Sequence, residues 1–161
     1  MNKMIKVGMA DANVCITPDA LTTLGLGSCV GIVLYDPVKK IAGLVHIMLP
    51  DSTKIMNNAN KYKFADTGID KLVEDMTKIG ACRSNLVSKI AGGAQMFSFA
   101  NNLDMMRIGD RNVEATKEKL KSLGIKMLAE DTGANYGRTI EFYPETGKLH
   151  IRSVGKEQKV L

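Results

Sequence analysis

The chain has 161 residues, 45% of them hydrophobic, and a formal net charge of +5 at pH 7. That length predicts one domain with a core large enough to stand without disulfide staples. No apolar run reaches the roughly 20 residues of a membrane span, no leader-like segment opens the chain, and three cysteines without a CxxC argue for a reducing cytosol rather than a disulfide framework.

The elements follow in order. Residues 4–9 predict a first strand, and residues 10–18 are too irregular to assign. Residues 20–24 run into a bend built on Gly25 and Gly27. Residues 30–35 and 41–47 are rich in β-branched side chains and flank Asp36-Pro37, a turn signal, so they predict a β-hairpin. Residues 51–62 are polar and asparagine-rich and predict a loop. Residues 65–79 repeat Ile69, Leu72, Val73, Met76 and Ile79 at helical spacing, and Gly80 ends that helix. Residues 86–91 predict a buried strand that stops at Gly92-Gly93. Asn112 is placed as the N-cap of a helix over 113–123, with Gly124 as its stop. A strand over 125–129 and a hairpin of 139–143 with 148–154 complete the pattern, leaving 155–161 as a loose tail. Strands and helices mixed in this way predict an α+β fold. Its expected form is a layered α/β/β/α-type sandwich built from hairpins, with the helices packed outside, in a single domain over 1–161.

The chemistry concentrates around Cys29. It leaves the glycine-rich bend and heads an apolar strand, and His46, the first histidine, lies on the next one. A neighbouring imidazole that takes the thiol proton makes cysteine a strong nucleophile. The hairpin loop decides whether the two meet. A two-residue loop sets Cys29 opposite His46, with Cβ atoms about 4.5–5.5 Å apart, and a four-residue loop makes them diagonal neighbours on one face. A three-residue loop would send them to opposite faces. The backbone N–H groups of Gly27, Ser28 and Cys29 are candidate donors for an oxyanion. Thr23 is positioned to orient the imidazole through its hydroxyl, and Gly25, Gly92 and Gly93 are candidate pocket-lining residues. Asp110, Arg111 and Asn112 fit two roles, holding a loop near the site or capping a helix. Cys15 and Cys82 read as structural, and His150 as a surface or sheet histidine. Two histidines without a ligand cluster predict no metal, and no cofactor motif is present. The 22 basic residues are scattered and there is no tryptophan, so nucleic acid is not an expected partner.

Five motifs in order resemble the CheD family of chemotaxis proteins: Leu24-Gly25-Leu26-Gly27-Ser28-Cys29-Val30, His46-Ile47-Met48-Leu49-Pro50, Lys89-Ile90-Ala91-Gly92-Gly93-Ala94, Ile108-Gly109-Asp110-Arg111-Asn112 and Ala129-Glu130-Asp131-Thr132-Gly133. The resemblance runs from Met4 to about Val154. It implies a cytoplasmic protein-glutamine glutaminase that deamidates side chains of methyl-accepting receptors, with Cys29, His46 and Thr23 as its catalytic set. Some members also cleave receptor methyl esters. It further implies binding to the phosphatase CheC. Two readings from other classes stand beside it: an adaptor of CheC whose pocket is unused, and a thiol hydrolase with another substrate. Two positions depart from the family pattern: Phe64 stands where a tyrosine is usual, and Ala134 stands within Gly133-Ala134-Asn135 where glycine is common.

Overall fold

The computed structural model describes residues 2–96 and 107–161. Among the described residues, ten strands form two five-stranded sheets, and two long helices cover one of them. The strands are β1 (Met4–Val7), β2 (Ala12–Ile16), β3 (Ala20–Leu26), β4 (Val30–Asp36), β5 (Ile41–Ile47), β6 (Val87–Gly92), β7 (Lys126–Thr132), β8 (Arg138–Tyr143), β9 (Lys148–Arg152) and β10 (Lys159–Val160). The helices are α1 (Ala65–Lys78) and α2 (Ile108–Ser122). One sheet runs β1-β3-β8-β9-β10 and the other β2-β5-β4-β6-β7.

Alternation along β4 and β5 explains the layering. Val30, Ile32 and Leu34 with Ile41, Val45 and Ile47 join Ile69, Leu72, Val73 and Met76 of α1 and Leu120 of α2 in one core. Val33 and Tyr35 with Ala42 and Leu44 point the other way, onto Leu21, Leu26, Ile140 and Phe142 of the facing sheet. A period of two on a sheet buried on both faces gives the unbroken apolar runs seen here. The α+β class is the expected one, but the four layers of the expected α/β/β/α form are corrected to three. Both helices share the outer face of one sheet, so the layers run helix, sheet, sheet.

Three local expectations are corrected. The unassigned stretch after residue 10 holds β2, an edge strand paired with β5, whose half-exposed residues blur its pattern. The tail is not loose: Lys159 and Val160 pair with β9, and Leu161 exchanges two backbone hydrogen bonds with Leu149. Asn112 is no cap, because α2 begins at Ile108 and carries it in its interior.

The hairpin loop has four residues. Asp36 is fully buried, and its carboxylate accepts from the N–H groups of Val38 and Lys39 at 3.0 Å each. Its other oxygen accepts from Cys82 N–H at 2.8 Å. This side-chain cap fixes the turn and hence the register, which sets Gly31 opposite His46.

Ala134 sits at φ 58°, in the left-handed region that favours glycine. Ala134→Gly is therefore expected to stabilise the fold by about 1 kcal/mol. Thermal unfolding should show a midpoint raised by about 2–4 °C for a chain of this size. A lowered midpoint would contradict the assignment of strain to that residue.

Candidate active site

Gly31 stands opposite His46, and Cys29 precedes Gly31 by two residues, just outside β4, on the side of the inter-sheet core. Cys29 lies in the bend after β3, half-buried, and packs against the inter-sheet core. His46 is fully buried, as is Thr23. Thr23 Oγ1 lies 2.8 Å from His46 Nδ1, so a strand of one sheet holds the ring carried by the other.

The proton positions follow from counting donors. The Thr23 hydroxyl has one proton, and it is donated to Val7 O at 2.7 Å. The hydroxyl must then accept from His46 Nδ1–H. That assigns the proton to Nδ1 and leaves a bare lone pair on Nε2, which is buried and has no hydrogen-bond partner among the described residues. Burial pulls the His46 pKa from 6.5 down to about 4. Burial pushes the Cys29 thiol upward, only partly offset by its own backbone N–H. Both shifts favour the neutral thiol and the neutral imidazole over a thiolate and an imidazolium.

The bend is held by its carbonyls. Ala94 N–H donates to Gly27 O at 2.8 Å, Asn112 Nδ2 to Ser28 O at 2.9 Å, and Gly93 N–H to Cys29 O at 2.8 Å. The N–H groups of Ser28 and Cys29 donate to no other residue among the described ones, whereas Gly27 N–H is taken by Gly25 O at 3.1 Å. Gly92 and Gly93 sit behind the bend at φ 113° and 65°. A Cβ on Gly92 would overlap Cys29 O, and one on Gly93 would overlap Val113. These glycines allow the close approach that lets their strand grip the bend. Gly25 lines a separate cleft of about 590 Å³ with Leu24, Tyr136, Arg138, Arg152 and Val154, and neither Cys29 nor His46 lines that cleft.

Arg138 escaped the sequence reading, whereas Asn112 takes the first of its two expected roles, holding the loop that carries Cys29. Asn112 is buried in the second turn of α2, and its Nδ2 also donates to Met48 O at 3.0 Å. Arg138 is buried, paired with Asp131 at 3.0 Å, and donates to Gly133 O at 3.0 Å. Gly133 N–H in turn donates to Gly92 O at 3.0 Å, bracing the strand end behind Cys29. Phe64, at the other departure from the family pattern, is fully buried.

The other thiols differ sharply. Cys15 is buried and pushed up to about 12 by burial, with Asp19 adding to it. Cys82 is exposed, and a hydrogen bond with Ser84 pulls it down. Iodoacetamide is expected to label Cys82 first, Cys29 more slowly and Cys15 last. The Cys29 rate should climb with pH towards and beyond 9, since only thiolate reacts. Peptide mapping checks this, and a rate plateau between about pH 5 and 8 would reveal an ion pair instead.

Similarity to known proteins now bears on this geometry. A family model described as CheD chemotactic sensory transduction matches residues 48–153. The "Probable chemoreceptor glutamine deamidase CheD" of Lachnoclostridium phytofermentans is 71% identical over 99% of each chain. The "Chemoreceptor glutamine deamidase CheD" of Halalkalibacterium halodurans is 59% identical, again over 99% of each. A solved Neisseria meningitidis protein of family DUF152 shares the fold alone, with a TM-score of 0.52 and 10% identity over 82% of this chain and 64% of its own. The two sheets and the helices packed on one of them define a mixed α+β protein. The chain belongs to the CheD family.

Proposed function

We propose that this chain is a glutamine deamidase of chemoreceptors, converting selected receptor glutamines to glutamate through a Cys29 thioester. Two relatives named for that activity, at 71% and 59% identity, support the substrate class. The observation that carries the mechanism is the Thr23–His46 arrangement, which leaves a buried, unpaired Nε2 on the face it shares with Cys29.

His46 Nε2 takes the thiol proton as Sγ attacks the side-chain carbonyl carbon. The carbonyl π electrons move to oxygen, and the N–H groups of Ser28 and Cys29 hold the charge, an effect of about 2.7–4 kcal/mol per donor in comparable hydrolases. The tetrahedral intermediate collapses, the C–N bond breaks, and imidazolium gives its proton to the leaving nitrogen, releasing ammonia. Water, deprotonated by the same Nε2, then attacks the thioester. Its C–S bond breaks, sulfur regains a proton from the ring, and glutamate is left. Thr23 keeps Nδ1–H in place throughout, the role of the third member in other triads. Gly27 serves through its carbonyl, and Gly92 and Gly93 through the shape of the bend.

Each turnover adds a negative charge to a receptor helix and alters repulsion within its bundle. Action on a cytoplasmic receptor region places the protein in the cytoplasm, and docking on CheC fits the family. None of the helices is long and apolar enough to cross a membrane among the described residues. Peptide mass spectrometry of a receptor fragment after incubation tests the function: a gain of about one mass unit at glutamine is expected. An unmodified fragment that nonetheless binds, together with tight CheC binding, would instead identify an adaptor.

A further inference from the structure

We infer that Asn112 is a positioning residue that aims the Cys29 N–H at the oxygen of the tetrahedral intermediate, an inference resting on the thioester mechanism above. A trans peptide is planar, so the N–H of one residue points opposite to the carbonyl before it. Holding Gly27 O therefore orients Ser28 N–H, and holding Ser28 O orients Cys29 N–H. Ala94 performs the first task with its backbone, at 2.8 Å. Asn112 performs the second with its side chain, at 2.9 Å. Cys29 N–H also lies near enough to its own sulfur to ease the rise in the thiol pKa, so it borders the attacking atom.

The second bond of Asn112 ties this peptide to the histidine strand. Its Nδ2 spans Ser28 O and Met48 O, and Met48 follows His46 by two residues. Both acceptors are carbonyls, so the amide orientation is assigned without ambiguity. The price is a buried Oδ1 with no partner among the described residues, which helix packing gives no reason to keep. Asn112 thus fixes one oxyanion donor and its distance from the base together, from a rigid helix interior.

Two reactions of Cys29 separate this role from a merely structural one. Deamidation forms an oxyanion, whereas alkylation by iodoacetamide displaces iodide and forms none. Asn112→Ala is expected to lower kcat on a receptor fragment by about 10²-fold, the scale of one lost oxyanion donor. KM and the Cys29 alkylation rate should stay within about twofold. Unchanged kcat overturns the inference, and so does a parallel fall in both reactions, which would report a collapsed bend. If Asn112→Ala fails to fold, Asn112→Ser is read by the same comparison. If both fail, amide exchange in the wild-type chain decides: rapid exchange at Cys29 N–H is required, and protection overturns the inference. Cys29→Ala measured alongside keeps the two levels apart, since activity surviving in that variant would remove the thioester mechanism itself.

Discussion

Cys29→Ala is expected to abolish ammonia release from a receptor fragment while leaving the fold intact. Loss of a hydrolase nucleophile lowers kcat by about 10⁶-fold in the best-measured comparison. The fold should survive because the bend is held through its backbone: the carbonyls of residues 27 and 29 accept from Ala94 and Gly93, and neither bond involves the thiol. Circular dichroism and an unfolding midpoint near that of the parent verify the fold, and an ammonia assay reads the activity. Activity within tenfold of the parent in a folded Cys29→Ala would remove sulfur from the mechanism. His46→Ala should lose comparable activity, but it empties a fully buried position and so will also lower stability.

Thr23→Val carries the second large effect. Valine matches the shape of threonine and removes the hydroxyl, leaving Val7 O without its 2.7 Å donor and His46 Nδ1–H without its acceptor. Each buried group left unsatisfied costs about 1–3 kcal/mol. The ring is then free to place its proton on Nε2, where it cannot act as a base. The expected result is a fall in kcat of about 10²-fold or more with KM unchanged, alongside a lower unfolding midpoint. Thr23→Ser should restore most of kcat. Histidine nitrogen resonances provide the check that packing alone would not move: the parent should show Nδ1–H and a bare Nε2, and Thr23→Val a mixture. A single Nδ1–H form in Thr23→Val, with kcat preserved, would contradict the tautomer argument.

Much of this was legible from the sequence because it depends on local rules. The strand periods of β4 and β5 and the glycine-rich bend bring Cys29 and His46 to one face for either even loop length. The choice between those loops was not legible, because the buried Asp36 carboxylate decides it by capping Val38 and Lys39. The contact of Thr23 with the ring joins two sheets, yet β3 ends just before the bend, which made its direction readable. Asn112 was ambiguous for a physical reason. Asparagine favours helix caps, and α2 starts at Ile108 without any side-chain cap, so no sequence signal moved the start back by a turn. The order of the tail is not legible in its sequence because it comes from pairing with β9 and from the Lys159–Asp131 ion pair at 3.0 Å, neither of which its own polar composition announces. The two helices share one side because the other sheet uses its inner face against β4 and β5, a matter of topology beyond local pattern.

The thioester itself offers the most direct test. Receptor fragment and protein mixed at millisecond times, quenched in acid and digested, should yield a peptide pair joined between Cys29 sulfur and the glutamine carbonyl, released by hydroxylamine. Deamidation proceeding at full rate while Cys29 stays unacylated at every quench time, and stays dispensable, would mean that this sulfur never meets the substrate.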